Sequence, residues 1–503
     1  MPIPGTVFLA GAGPGDPALL TLRAAELLGD CDCVVHDYLV NPAILARVPA
    51  QVERHFVGKR GGRASVSQDD INRLLIDLAR THHRVLRLKG GDPFLFGRGG
   101  EEAAALAEAG IPFEVVPGVT SGIGVPAYAG IPVTHRAASS VVAFATGHQA
   151  KGEVEDLDWA GLARVETVVL YMGMHKLAQN CASLIAHGRA ADTPACAIQW
   201  GSYPRQRVVV GTLETLPRLA AEAGLGAPAI TVIGDVVRYR EKIRWFDNRP
   251  LSGRRVVVTR SREQASELCE LLARVGAEVV EAPVATQEPP VSWDDLDAAL
   301  HTLSIFRWVV FTSANAVRFT WTRLRGLGLD ARAFAHVRIA AVGPSTAAVL
   351  ASHGLVADLV PQRYDAASLA SELLAREPSP PAVLLPQADN AKPVLRDRLA
   401  TVGCTVSVAI AYRTVPMAFD LDPELPVDAV TFASSATVER FVTGLGAGRI
   451  AALLAAGCRC YAIGPQTAAT MAAHGLPIAA TADEATIPAL VQAVTDDLKL
   501  PIR

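Results

Sequence analysis

A chain of 503 residues is too long for one compact core, and at ~100 to 200 residues per domain it calls for about three or four folding units. Half of the residues are hydrophobic and 19% are charged, which is ordinary for a globular protein and too apolar for disorder. Lys plus Arg numbers 47 against 50 for Asp plus Glu, so a net charge of -3 provides no global field for nucleic acid or anionic lipid. An acidic ligand must therefore meet a local cluster of cations.

Met1-Pro2-Ile3-Pro4-Gly5 has no basic lead, and the short apolar run Val7 to Ala10 ends in a glycine turn, so the beginning reads as a strand and not a signal peptide. No uncharged apolar stretch approaches the ~18 residues needed to span a bilayer. A soluble, cytoplasmic protein with no membrane partner is expected. The eight cysteines are scattered and form no CxxC pair, so neither disulfides nor a metal site is expected. The pairs Cys31/Cys33 and Cys458/Cys460 are spaced to put both thiols on one face of a strand, as buried structural groups.

Short β-branched runs ending in Gly or Asp alternate with Ala/Leu-rich helical stretches from end to end, the pattern of α/β layers with mostly parallel strands. The first strand runs into Gly11-Ala12-Gly13-Pro14-Gly15-Asp16-Pro17, where Asp16 is a good N-cap and Pro17 a good first helical residue. A dinucleotide fingerprint fits poorly there. Its third glycine would fall on Asp16, whose carboxylate repels a pyrophosphate, so a nicotinamide site is disfavoured. Two more loops follow apolar strands, Gly90-Gly91-Asp92-Pro93 after Val85 to Leu88 and Pro117-Gly118-Val119-Thr120-Ser121 after Phe113 to Val116. Three such loops at strand ends argue for one shared cleft.

Turn formers concentrate at 246–254, which predicts a linker at 247–253 between a first half, 1–246, and a second, 254–503. The second half repeats itself. Phe311-Thr312-Ser313-Ala314 resembles Phe432-Ala433-Ser434-Ser435, Gly343-Pro344-Ser345-Thr346 resembles Gly464-Pro465-Gln466-Thr467, and His353-Gly354-Leu355 matches His474-Gly475-Leu476, all at one spacing of 121 residues. Two similar α/β lobes with a cleft between them are expected.

At this point the residues carry a specific resemblance. Gly11 to Pro17, Val57-Gly58-Lys59-Arg60, Leu88 to Glu101, Val116 to Ser121, Gly130 to Arg136, Thr146-Gly147-His148 and Tyr171-Met172-Gly173 together resemble uroporphyrinogen-III C-methyltransferases of the tetrapyrrole methylase family, over about 5–246. The resemblance implies a fold of two α/β subdomains, about 1–118 and 119–246. It also implies transfer of two methyl groups from S-adenosylmethionine to uroporphyrinogen III, giving precorrin-2 for sirohaem or corrin synthesis. The family's cofactor contacts fall on Pro14, Gly90, Gly91, Asp92, Leu95, Thr120, Ser121, Met172 and Gly201. Its acid/base pair falls on Asp37 as proton acceptor and Lys59 as proton donor. A carboxylate beside a cation suits loss of a ring proton, although the same two residues would also suit a surface ion pair. The substrate carries carboxylates, for which Arg98 and Arg136 are the chosen cations among several near the loops. The family is commonly dimeric, so a homodimer through this half is expected. The first strand opens the methylase pattern directly, and a dehydrogenase and chelatase module ahead of it is not expected.

The second half resembles uroporphyrinogen-III synthase over about 251–500, on Val256 to Arg260, Phe311 to Asn315, Val342 to Thr346, Ala411-Tyr412-Arg413-Thr414 and Ile463 to Thr467. The resemblance implies closure of hydroxymethylbilane into uroporphyrinogen III, the substrate of the first half. It implies one lobe of about 254–284 plus 416–503, another of about 289–410, and linkers near Glu281 to Glu288 and Ala409 to Pro416. Tyr412 matches the family's candidate acid; Arg260, Ser313, Thr346, Ser434 and Thr467 are the candidate substrate contacts. Ser and Thr there would equally serve as helix caps, and Tyr412 as linker packing. After the strand Ala382 to Leu385 the chain reads Pro386-Gln387-Ala388-Asp389-Asn390-Ala391-Lys392, where the family usually has Arg-Gly with another basic residue nearby. The sequence supports two readings. One is a bifunctional enzyme; the other is a methyltransferase whose second half is a degenerate tetrapyrrole-binding module.

Overall fold

The computed structural model describes residues 5–58, 66–147, 157–259, 262–419, 421–422 and 425–499, without the side chains of 262–266. They form an α/β protein with four five-stranded sheets.

The first sheet is all parallel, in the order Glu53–Phe56, Cys33–His36, Arg84–Lys89, Thr6–Gly11, Phe113–Val116. Helices cover both faces, so its strands are apolar on both sides: Phe8 and Ala10 belong to one core, Val7 and Leu9 to the other. The Cys31/Cys33 pair departs from expectation. Cys31 caps the end of the helix Leu22–Asp30 and joins the first core, whereas Cys33 joins the second. The expected helix start after Asp16 is also modified. Asp16 caps only a short 3-10 turn, Pro17–Leu19, and Thr21 caps the longer helix Leu22–Asp30.

The second sheet, Val142–Thr146, Thr167–Tyr171, Ala229–Ile233, Pro194–Gln199, Arg207–Thr212, is mixed rather than mostly parallel. Ala229–Ile233 runs antiparallel to both neighbours, and Pro194–Gln199 pairs antiparallel with Arg207–Thr212. The short connection 200–206 returns the chain directly, which a parallel crossover could not do.

The third sheet is parallel and combines Glu278–Glu281 and Arg255–Val258 with Ala429–Phe432, Arg459–Ala462 and Ala480–Thr481. The fourth is built from Ala285–Glu288, Thr405–Pro416, Ala382–Ala388, Trp308–Phe311 and Arg338–Ala341. Two segments connect these sheets. They pair antiparallel, Ala285 opposite Pro416 through Glu288 opposite Arg413, with an Arg413–Glu288 ion pair at 2.7 Å. The repeat is visible in the elements themselves: Trp308–Phe311 corresponds to Ala429–Phe432, Arg338–Ala341 to Arg459–Ala462, and Pro344–Ser352 to Pro465–Ala473. Cys458 and Cys460 do share one core. Among the described residues no helix is long and apolar enough to cross a membrane, and no group of three or more His, Cys, Asp or Glu could hold a metal ion.

Candidate active site

Strand ends of the first sheet bring the three glycine-rich loops together. Gly13 and Gly91 exchange backbone hydrogen bonds, N to O at 3.1 and 2.7 Å. A Cβ on Gly11 would sit 2.5 Å from the Gly91 carbonyl and 2.6 Å from Gly118 Cα, so only glycine permits this approach. Asp92 ties the loops from behind. One carboxylate oxygen accepts from Phe94 N and Leu95 N at 2.8 and 3.0 Å, and the other accepts from Gly118 N at 3.0 Å.

Between these loops and the second sheet lies a cleft of about 740 Å³. Of the residues singled out in the sequence, Pro14, Asp37, Gly90, Gly91, Arg98, Ser121, Met172 and Gly201 line it. Asp92 and Leu95 sit behind the wall, Leu95 packing on the core of the second sheet. Thr120 is buried, its hydroxyl 2.7 Å from Tyr171 Oη, which also accepts from Gly122 N at 2.6 Å. Burial raises the Tyr171 phenol above its ordinary pKa, so it stays neutral. Arg98 carries a bidentate pair with Glu101, at 2.8 and 2.7 Å. Arg136 is exposed and is not among the lining residues. Lys59 lies outside the described residues.

The most unusual chemistry of the cleft joins Asp37 to Lys89, one of the several cations near the loops, and to Arg87 and Glu102, which have no role assigned from the sequence. Period two along Arg84–Lys89 puts Arg87 and Lys89 on the face covered by the helix Gly99–Glu108, whose buried stripe is Gly99, Glu102, Ala103 and Leu106. Glu102 therefore occupies a position where a leucine would ordinarily pack. Arg87 is 2% exposed, Lys89 4% and Glu102 0%. Arg87 donates from Nε to Glu102 Oε1 at 3.1 Å and from Nη2 to Asp37 Oδ1 at 2.9 Å, while Lys89 Nζ donates to the same Glu102 oxygen at 2.8 Å. Glu102 Oε2 is buried with no hydrogen-bond partner among the described residues. Burial, and then the neighbouring Arg87, hold the Lys89 ammonium below the ordinary lysine pKa. Asp37, Arg87 and Lys89 all line the cleft, so this network presents to it a carboxylate braced by an arginine. The pattern had a readable trace: three charged residues at positions both periodicities assign to the core.

Backbone strain marks the same place. Phe96, Arg98, Met172, Trp200 and Ser202 are the non-glycine residues with positive φ among the described residues, at 53, 59, 53, 49 and 65°. Four of them line the cleft and Ser202 lies between two lining residues.

In the second half the candidate hydroxyls are engaged locally. Ser313 caps the helix Ala314–Gly326, accepting from Ala316 N at 3.1 Å, and lies 3.2 Å from Tyr412 Oη. Tyr412 is buried and stacked on Phe319, centroids 5.4 Å apart. Ser434 and Thr437 form a capping box on Ser435–Leu445. Thr346 and Thr467 are buried in the first turns of the equivalent helices Pro344–Ser352 and Pro465–Ala473. Lys392 and Arg396 are exposed, and Arg396 pairs with Asp397 at 2.8 Å. Arg260 lies outside the described residues.

Two family models match the chain in succession: Tetrapyrrole (Corrin/Porphyrin) Methylases over residues 6–217 and Uroporphyrinogen-III synthase HemD over 266–492. The porphyrin biosynthesis protein HemD of Ruminiclostridium josui is 40% identical over 367 residues, 73% of each chain. The siroheme synthase of Chromobacterium violaceum is 53% identical over 243 residues, covering 48% of this chain and 52% of that one. The chain thus spans about half the length of the siroheme synthases it matches. A solved uroporphyrin-III C-methyl transferase of Thermus thermophilus, complexed with S-adenyl homocysteine, is 41% identical, with 46% of this chain and 99% of that chain covered and a TM-score of 0.41. The two successive family models and the 40% identical relative define an enzyme of tetrapyrrole biosynthesis with a methylase and a synthase half. The chain belongs to the family in which a tetrapyrrole methylase is joined to a uroporphyrinogen-III synthase of the HemD type.

Proposed function

We propose that the two halves catalyse consecutive steps: the second closes hydroxymethylbilane into uroporphyrinogen III, and the first methylates that product twice, with S-adenosylmethionine as donor, to precorrin-2. The observation that supports this reading best is the cleft itself, where bare glycine backbone, a braced carboxylate and an arginine line one volume of about 740 Å³. Its size suits a nucleoside-bearing donor, and Gly13, Gly90 and Gly91 give it glycine backbone along the wall. Residues proposed to hold the donor are Pro14, Gly90, Gly91, Ser121, Met172 and Gly201 at the cleft wall, with Asp92, Leu95 and Thr120 supporting them.

The donor supplies an already activated methyl group on a sulfonium. The protein's task is then alignment and proton removal. Asp37 is the proposed acceptor of the proton released by the ring after the new carbon–carbon bond forms, and Arg87 holds its Oδ1. Lys59 is the proposed donor. Arg98 and, at longer reach, Arg136 are proposed for the substrate carboxylates. In the second half the reading assigns Tyr412 as the acid that assists loss of hydroxide, with Arg260, Ser313, Thr346, Ser434 and Thr467 toward the substrate. A homodimer through the first half belongs to the same reading, as does a cytoplasmic location; sedimentation of the full chain checks the former.

The test is incubation with hydroxymethylbilane and S-adenosylmethionine, products resolved by isomer. Precorrin-2 is expected. Failure to methylate supplied uroporphyrinogen III sinks the reading of the first half. Asp37→Asn is expected to lower methyl transfer by ~10²- to 10⁴-fold while leaving ring closure unchanged.

A further inference from the structure

The segment Trp200-Gly201-Ser202-Tyr203 belongs to the first half, yet part of its support comes from the second. Two of its four residues hold left-handed backbone, Trp200 at φ 49° and Ser202 at 65°. Within its own half, Ser202 Oγ accepts from Asp16 N at 3.1 Å and Ser202 N donates to Gln206 Oε1 at 3.0 Å. The Arg205 guanidinium lies over the indole of Trp200, 4.1 Å from the centroid, and 5.3 Å from that of Tyr203. Its Nη1 pairs with Glu278 Oε1 at 3.5 Å, and Glu278 opens an edge strand of the third sheet, opposite Arg255. A second tie runs alongside, from Gly253 N to the Pro204 carbonyl at 3.0 Å.

The guanidinium is planar and stacks on aromatic faces in one orientation, so a carboxylate that fixes its plane also fixes the rings beneath it. Both side chains of the pair are more than two-thirds buried, which reduces the screening that weakens surface pairs. Trp200, Gly201 and Tyr203 form the cleft wall, so the pair acts on the wall from outside.

We propose that Glu278 of the synthase half is a positioning residue for the methylase half: through Arg205 it holds the Trp200–Tyr203 wall in its donor-binding shape, and donor affinity therefore depends on the junction between the halves. This rests on the reading that the cleft takes the methyl donor. Glu278 touches neither substrate; it works through Arg205.

The experiment uses the full chain with Glu278→Gln, Arg205→Met and the double variant. S-adenosylhomocysteine is titrated calorimetrically into each, and methyl transfer kinetics are measured beside it. Both single variants are expected to raise the Kd and the donor KM about 3- to 10-fold, with kcat and the tetrapyrrole KM within about twofold. The double variant should be no worse than Arg205→Met, because the carboxylate acts only through the guanidinium. Unchanged S-adenosylhomocysteine binding by Glu278→Gln overturns the coupling alone, as do additive losses in the double variant. Absence of binding by the wild-type chain overturns the coupling together with the donor reading.

Discussion

The two halves place polar groups at their candidate sites in opposite ways. The methylase half buries Arg87, Lys89 and Glu102 at core positions and bends five non-glycine residues into left-handed backbone around one cleft. The synthase half keeps its described backbone in ordinary regions apart from glycine, and employs Ser313 and Ser434 as helix caps. Buried charge and strained φ cost stability wherever they occur, and persist where surrounding packing over-determines them. The molecule gives up stability for a site heavily in the first half and lightly in the second. Substitutions of these buried charges should therefore shift stability by more than substitutions at the helix caps and tyrosine of the second half.

The largest expected effect is at Glu102. Glu102→Ala leaves Arg87 and Lys89 buried with only Asp37 to compensate them, and removing one partner of a buried pair costs about 3–5 kcal/mol. Urea unfolding of the full chain should show the first transition moved to lower denaturant while the second half unfolds as before; a shift under ~1 kcal/mol breaks the comparison. The companion variant Lys89→Met gives the pH dependence. Because the folded protein holds Lys89 below its ordinary pKa, the unfolded chain binds more protons between that value and about 10.5, and wild-type stability rises with pH across the window. The wild type should accordingly gain on Lys89→Met as the pH rises toward about 10.5, measured by urea midpoints.

The same contrast explains what could be read from the chain. The glycine loops and the 121-residue repeat were legible because they depend on local rules: tight approach requires glycine, and two copies of one unit share their turns and caps. The Arg87–Glu102–Lys89 network was not singled out, because charged residues ordinarily read as solvated faces, and only the pairing of strand and helix reveals that these face each other. Strand direction in the second sheet is equally silent in a periodicity, which is the same for parallel and antiparallel pairs. Nothing in the residue types of Met172 or Trp200 announces a positive φ, since tertiary contacts impose it.

An intermediate effect is expected at Met172, which is half exposed and holds φ at 53°. Met172→Gly removes little packing and relieves a left-handed strain of about 1 kcal/mol. The variant should be more stable by up to about that amount and weaker in methyl transfer, with ring closure unaffected. Thermal unfolding and paired assays check it, and a gain in both stability and methyl transfer would argue that the strained backbone has no functional part.

The smallest loss of stability is expected at Tyr412. Its hydroxyl lies 3.2 Å from Ser313 Oγ, its ring stacks on Phe319, and it sits on the long strand Thr405–Pro416 that links the two lobes. Tyr412→Phe keeps the stack and removes one hydrogen bond, worth about 1 kcal/mol, while Ser313 retains Ala316 N as its cap partner. Stability should therefore fall by ~1 kcal/mol or less. If the hydroxyl assists departure of hydroxide, ring closure to the type III isomer should slow by ~10-fold or more, and the spontaneously formed type I isomer should rise in its place. Loss of stability with an unchanged isomer ratio would assign the tyrosine to linker packing alone. Because methyl transfer can be measured on supplied uroporphyrinogen III, the two halves report independently in one chain, and a variant that slows both would point to misfolding instead of lost chemistry.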